Sequence, residues 1–355
     1  MNHAFVLLQQ RENAGLMIFF VVILSFQAMS QPTGSSLYDN DERFLQLSGA
    51  ARTALEMRFG KKLRVVHPQE GTDVLFQVPE IKEQFIHPRG IDRLTAIANT
   101  LVNDAAADAT AQDTQSETAI VLGSGSNVIS SFNDSGSRIP ATSKHFTGFS
   151  QSTDLGTSWT DKGTLPTSTE GDAGDPVLAR DSATGTIYLA TLGFAKGENI
   201  QVFRSTDNGN TFGAPVNATP GFAGTGDFQD KEWIAVDNFP GPGQGNVYLA
   251  WRHFSNVAPG AGIPYGIRFA RSTDGGNTWG PSQGILIATQ GSFNVQGAYP
   301  VVGPDHTAYV FWVDQSAGSG TANIIKMQKS TDLGVSFGAT ANVVTLTSTG
   351  VNGDL

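Results

Sequence analysis

Cysteine is absent from all 355 residues, so the chain has no disulfide framework, no thiolate zinc site and no cysteine nucleophile. Charged side chains are scarce at 15%, and no run of basic residues occurs. With a formal net charge of −10, the chain lacks the clustered Lys and Arg that phosphate backbones require, which excludes nucleic acid as an expected partner. Long apolar runs are also missing. The core of "GLMIFFVVILSFQAMSQ", Leu16 to Phe26, follows Arg11, precedes the small residues Ala28 and Ser30, and is too short to span a bilayer comfortably. The pattern predicts a signal peptide over residues 1–30, cut near Ser30, with an uncleaved anchor as the competing reading. A secreted or periplasmic protein is therefore expected, without membrane association beyond the signal peptide. None of the six histidines forms a His-Glu-x-x-His pair, and no Gly-x-Ser-x-Gly elbow is present. "GPGQGN" from Gly241 lacks the lysine and helix of a phosphate loop. No cofactor and no metal are expected.

Glycine, by contrast, is abundant at 41 residues. Low charge, many glycines and regular turns suit an all-β chain. Residues 31–110 have a different texture. "DERFLQLSGAARTALEMRFG" and "IDRLTAIANTLVNDAA" space their apolar residues by three and four, which predicts two helices. "LRVVHPQEGTDVLFQV" between them reads as a short hairpin, and "DAAADATAQDTQS" as a linker. This stretch is treated as an accessory segment preceding a domain over 111–355.

From Glu117 onward, one phrase recurs four times: "QSTDLGTSWT" from Gln151, "RSTDNGNTFG" from Arg204, "RSTDGGNTWG" from Arg271 and "KSTDLGVSFG" from Lys329. Each is preceded by two short strand patterns and a third strand, and followed by a fourth. The first patterns are "ETAIVLG", "DPVLARD", "KEWIAVD" and "YPVVGPD"; the second are "NVISSFND", "TIYLATLG", "NVYLAWRH" and "TAYVFWVD". Four strands per unit, repeated every 50 to 70 residues, predict the blades of a β-propeller. Within the phrase, Asp154, Asp207, Asp274 and Asp332 can accept backbone N–H groups at the head of a turn. Gly156, Gly209, Gly276 and Gly334 supply positive φ. Trp159, Phe212, Trp279 and Phe337 return to the sheet and cover the turn. A single carboxylate per copy is too few for an all-protein calcium site, so the phrase reads as a hairpin staple.

The phrase resembles the Asp box, the bacterial neuraminidase repeat, and residues 117 to about 340 look like a member of the sialidase-like propeller superfamily. The resemblance implies a ring of six or more blades, so four visible units imply an incomplete propeller or one closed by association. It also implies, for a true sialidase, three carboxylate-binding arginines, a tyrosine–glutamate nucleophile and an aspartate acid/base. The family's Arg-Ile-Pro motif has a match at Arg138, Ile139 and Pro140, but this lies in a loop instead of opening a first strand. Arg204 and Arg271 read as solvated strand positions, and Arg180 and Arg268 have no distinctive context; Arg252, in "AWRHF", is the arginine that remains.

Site candidates come from strand ends that differ between units. Glu117, Asp175, Lys231 and Tyr299 share one aligned column, with Asp230 beside Lys231. Asp134, His253 and Asp314 share another at the exits of the second strands. Arg252, Tyr299 and Asp175 are the weak catalytic candidates; Glu117, Asp134, Asp230, His253 and Asp314 are the ligand-binding candidates. Such a ring can recognise sugar hydroxyls or a cation, and the competing reading makes its members turn formers. The expectation is an exported propeller that binds a glycan or an extracellular protein, with no complete catalytic set visible. The alternative is an exo-sialidase or related glycoside hydrolase whose site is completed by further blades.

Overall fold

The computed structural model describes residues 100–104, 106, 115–134, 145–166, 171–193, 199–222, 227–254, 264–289, 295–315 and 323–346. The predicted signal peptide, nearly all of the accessory segment and Arg138 lie outside the described residues. Within them, sixteen strands form four antiparallel four-stranded sheets, each built from strands consecutive in the chain. The first blade contains β1 (Gln115–Leu122), β2 (Val128–Asp134), β3 (Thr147–Ser152) and β4 (Thr160–Thr164). The second contains β5 (Asp172–Arg180), β6 (Ile187–Gly193), β7 (Ile200–Ser205) and β8 (Val216–Asn217). β9 (Phe228–Val236), β10 (Val247–Phe254), β11 (Gly266–Ser272) and β12 (Gly280–Thr289) form the third. β13 (Val295–Val302), β14 (Ala308–Asp314), β15 (Asn323–Ser330) and β16 (Ala341–Leu346) form the fourth. This is a β-propeller architecture.

A twisted four-stranded sheet has two faces to cover, and here neighbouring blades cover them. Each of the three apolar cores lies between two adjacent blades. Ile129 and Phe149 of the first blade pack with Ile187, Leu189 and Phe203 of the second. Tyr188 and Val202 of the second pack with Val247, Leu249 and Trp251 of the third. Tyr248 and Phe269 of the third pack with Val310 and Trp312 of the fourth. The first strands pack in the order β1, β5, β9, β13, which makes them the inner lining of an arc. Among the described residues β13 does not pack against β1, and the arc is open between the fourth and first blades.

The repeated phrase forms the same hairpin in every blade. Ser152, Ser205, Ser272 and Ser330 each donate a hydroxyl hydrogen bond to the aspartate two residues on, at 2.6–2.8 Å. Each aspartate also accepts the amide and the hydroxyl of the residue four positions ahead: Ser158, Thr211, Thr278 or Ser336. The glycine amide returns a bond to the serine oxygen at 2.8 Å. Two successive residues, not one, take positive φ: Leu155, Asn208, Gly275 and Leu333 precede the four glycines in that conformation.

The hairpin is more than a local device. Each turn from the second blade onward is seated on the blade before it. A Cβ on Gly209 would lie 2.2 Å from Ile129, one on Gly276 3.0 Å from Tyr188, and one on Gly334 3.0 Å from Phe269. Gln151 donates to the carbonyl of Asn208 at 3.1 Å, Arg204 to that of Gly275 at 3.2 Å, and Arg271 to that of Leu333 at 2.6 Å. Arg204 and Arg271 are therefore ties between blades, a correction to the solvated role expected from sequence. The aromatic residue of the turn completes the joint. Phe212 meets Phe149 edge-on at 5.1 Å, Phe337 meets Phe269 at 4.8 Å, and Trp279 packs on the cluster holding Tyr188 and Val202.

Candidate functional site at the bulged ends of the inner strands

At the end opposite the repeated turns, every inner strand breaks register with its partner over two residues. The breaks fall between Ser116 and Ala119, Gly174 and Val177, Asp230 and Trp233, and Gln296 and Tyr299. The first of the two bulged residues has positive φ in every blade: Glu117 (50°), Asp175 (56°), Lys231 (49°) and Gly297 (67°). Only glycine tolerates that conformation freely, so three charged residues hold a backbone costing about 1–3 kcal/mol each. A bulge of this kind turns side chains off the sheet face and towards the axis.

The structure corrects the sequence column at one member. Glu117, Asp175 and Lys231 do occupy equivalent positions, but their fourth counterpart is Gly297. Tyr299 stands two residues further on, in the position of Trp233, Val177 and Ala119. The physical reason is the bulge itself, in which two residues face one on the partner strand and leave no mark in the hydrophobic pattern.

Lys231 joins the three blades. Its ammonium forms an ion pair with Glu117 of the first blade and lies 3.4 Å from Asp175 of the second. Asp175 is buried, and its backbone amide donates to Asn133 at 2.6 Å. Burial pushes its carboxyl well above the ordinary range; adjacent Glu117 adds to this and Lys231 opposes it. Two ionised carboxylates have no proton to share, whereas a protonated Asp175 can donate to Glu117. Glu232, the second of the two bulged residues after Asp230, is 2% exposed, and neither carboxyl oxygen meets a hydrogen-bond partner from another residue. Burial pushes it well upward too, with Asp230 adding to the effect. Both acids thus hold their protons well into the range where carboxyls ordinarily ionise.

Arg252 is paired in register with Asp230, is 0% exposed, and stacks over Phe254 at 4.3 Å. Burial pulls its guanidinium down to about 9, partly offset by Asp230 and Tyr265. It is fully enclosed. His253 is likewise buried, stacked 4.7 Å from Phe222 and 3.8 Å from the Asp227 carboxylate. Asp134 and Asp314 close β2 and β14; Asp314 forms an ion pair with Lys326 of its own blade. The ligand-binding candidates therefore divide. Glu117 and Asp230 gather with Asp175 at the cluster around Lys231, while Asp134, His253 and Asp314 lie at the ends of the second strands of separate blades. Among the described residues, no group of three or more acids and histidines is arranged to hold a metal ion.

Tyr299, a candidate from sequence, has a partner that sequence does not single out. Trp233 of β9 and Tyr299 of β13 lie face to tilted face, with centroids 4.7 Å apart. They are 38% and 44% exposed, high for large aromatics on strands this central. The usable signal is the shared step from the bulge, three residues after Asp230 and Gln296, which becomes visible only with the register known.

No protein-family model matches the chain, and no curated protein matches it. Several solved structures are similar. A protein of unknown function from Dyadobacter fermentans is 16% identical, with 68% of this chain and 71% of that one covered and a TM-score of 0.48. A Hadza microbial sialidase is 18% identical, with 63% and 46% covered and a TM-score of 0.44. The α-L-arabinofuranosidase Arb93A from Fusarium graminearum is 14% identical, with 70% and 71% covered and a TM-score of 0.49. The chain spans less than half of the length of the sialidase.

Proposed function

We propose that the bulged end of the arc is a glycan-binding face of an exported propeller, and that its ligand is an uncharged sugar. The observation that carries this reading is the exposed Trp233–Tyr299 pair on the inner strands, within two residues of the bulges that hold Lys231 and Gly297. An aromatic face covers the C–H side of a sugar ring, and neighbouring carboxyl and ammonium groups take up its hydroxyls. Charge argues against an anionic sugar. Lys231 is already engaged by Glu117 and Asp175, and Arg252 is enclosed, so neither cation of this cluster stands ready for a ligand carboxylate.

A paired-acid hydrolase is the weaker reading at this site. Outside sialidases, hydrolysis of a glycoside by paired acids needs them about 5–9.5 Å apart, with the substrate between. Glu117 and Asp175 instead converge on one ammonium, that of Lys231. Titration calorimetry with neutral oligosaccharides, with Trp233→Ala as the control, tests the binding reading. Saturable binding lost in the variant supports it, and no binding by the native chain rejects it. Turnover of a fluorogenic sialoside would favour the hydrolase. Export is tested by the N-terminal residue of the protein recovered outside the cytoplasm, expected just after Ser30.

A further inference from the structure

Three internal joints follow one rule, and each end of the arc displays half of a fourth. At every joint the earlier blade supplies a seat and the later blade a plug. The seat comprises the second-strand residue Ile129, Tyr188 or Tyr248, the third-strand residue Phe149, Val202 or Phe269, and the donor Gln151, Arg204 or Arg271. The plug comprises a turn carbonyl, its glycine and the aromatic residue behind it. Strand register places Tyr309, Met327 and Lys329 of the fourth blade in the three seat positions. Tyr309 and Met327 are only half-buried, whereas their counterparts Tyr248 and Phe269 are 0% exposed; Lys329 is exposed and donates to no turn among the described residues. The first blade carries the unmated plug. Leu155 is 67% exposed, Gly156 has only its own Trp159 beside it, and Ile120 and Leu122 on the same blade are 67% and 63% exposed.

We propose that the fourth blade of one chain seats the first-blade turn of a second copy. Lys329 would donate to the Leu155 carbonyl, Gly156 would close on Tyr309, and Trp159 would cover Met327. Both halves are present on the same polypeptide, match by three independent criteria, and meet no counterpart among the described residues. The contact is heterologous, the head of one copy meeting the tail of the next, so a suitable rotation closes a ring and any other gives longer assemblies.

The test is sedimentation of the full chain over roughly a hundredfold range of concentration. The expected result is a mass that rises to two copies or more, with association weakened at least tenfold by Lys329→Glu and by Trp159→Ala. Neither variant alone should assemble as the native chain does. An equimolar mixture should regain a single joint, because the Trp159→Ala chain keeps its seat and the Lys329→Glu chain its plug. Arg271→Glu, which damages an internal joint, should lower the melting temperature and leave the outer seat and plug intact. A monomer throughout the range, association indifferent to both substitutions, or a mixture no different from its components would each overturn the proposal. Capture of a different turn-bearing chain by a monomeric protein would also overturn it.

Discussion

The two ends of the blades obey opposite rules. At the turn end, four copies of one phrase make the same hydrogen bonds, and every turn carboxylate is satisfied by neighbours within its own hairpin. At the bulged end, four equivalent positions hold four different residues: Glu117, Asp175, Lys231 and Gly297. Three of them accept backbone strain that the fourth avoids. Buried Glu232 there meets none of the donors that each turn aspartate has in surplus. The contrast teaches that repetition within this chain marks what holds the blades together, and departure from repetition marks what the blades hold in common at the axis.

The comparison is broken most severely at the turn end. Gly209→Val places a β-branched side chain at φ 83° and 2.2 Å from Ile129, so unfolding in urea should show a loss of about 3–5 kcal/mol. The same substitution at Gly297, where a Cβ meets nothing within 4 Å, should cost distinctly less and only through backbone strain, about 1–3 kcal/mol. At the other pole, Glu232→Gln removes a carboxyl that folding keeps from ionising. A raised folded pKa means that stability is complete below the unfolded value and falls as pH rises past about 4. The variant should therefore gain on the order of 1–3 kcal/mol over the native chain at pH 7 and little at pH 4, measured by denaturant titration at both.

The turn aspartates have the reverse sign. Hydrogen bonds from Ser158 and Ser152 hold Asp154 down to about 2. Asp207 and Asp274 also reach about 2, because the bonds from Thr211 and Thr278 outweigh the upward push of burial. Their contribution is present above about pH 4 and disappears as pH falls through 2, so the melting temperature should drop steeply in that window. Asn in place of Asp at all four turns should flatten the drop. The smallest effect on folding is expected at Trp233→Ala, within about 0.5 kcal/mol for so exposed a ring, while affinity for a neutral oligosaccharide falls at least about tenfold.

Much of the architecture was legible in the amino acids. The phrase beginning at Ser152, Ser205, Ser272 and Ser330 fixed the four units, and the strand patterns ahead of it gave their order. What local pattern does not carry is pairing over distance. Arg204 finds its acceptor 71 residues away and Arg271 62 residues away, and nothing around either announces a partner. The site suffered from a related blindness. "DPVLARD" and "YPVVGPD" align through their prolines, yet Pro176 lies within its bulge and Pro300 beyond it, so Tyr299 was matched to Asp175 two residues out of step. Burial of Arg252 and His253 was equally hidden, since a strand exit reads the same whether it faces solvent or a neighbouring sheet.

The joint between blades has a direction: each turn rests on the sheet that came before it in the chain. A ribosome releases the polypeptide in that same order, so every new sheet emerges to find its resting place already built. Lys231 then ties the first three sheets together as soon as the third is made. An arc assembled this way never has to wait for a distant strand, and its aromatic residues are sheltered almost as fast as they are synthesised.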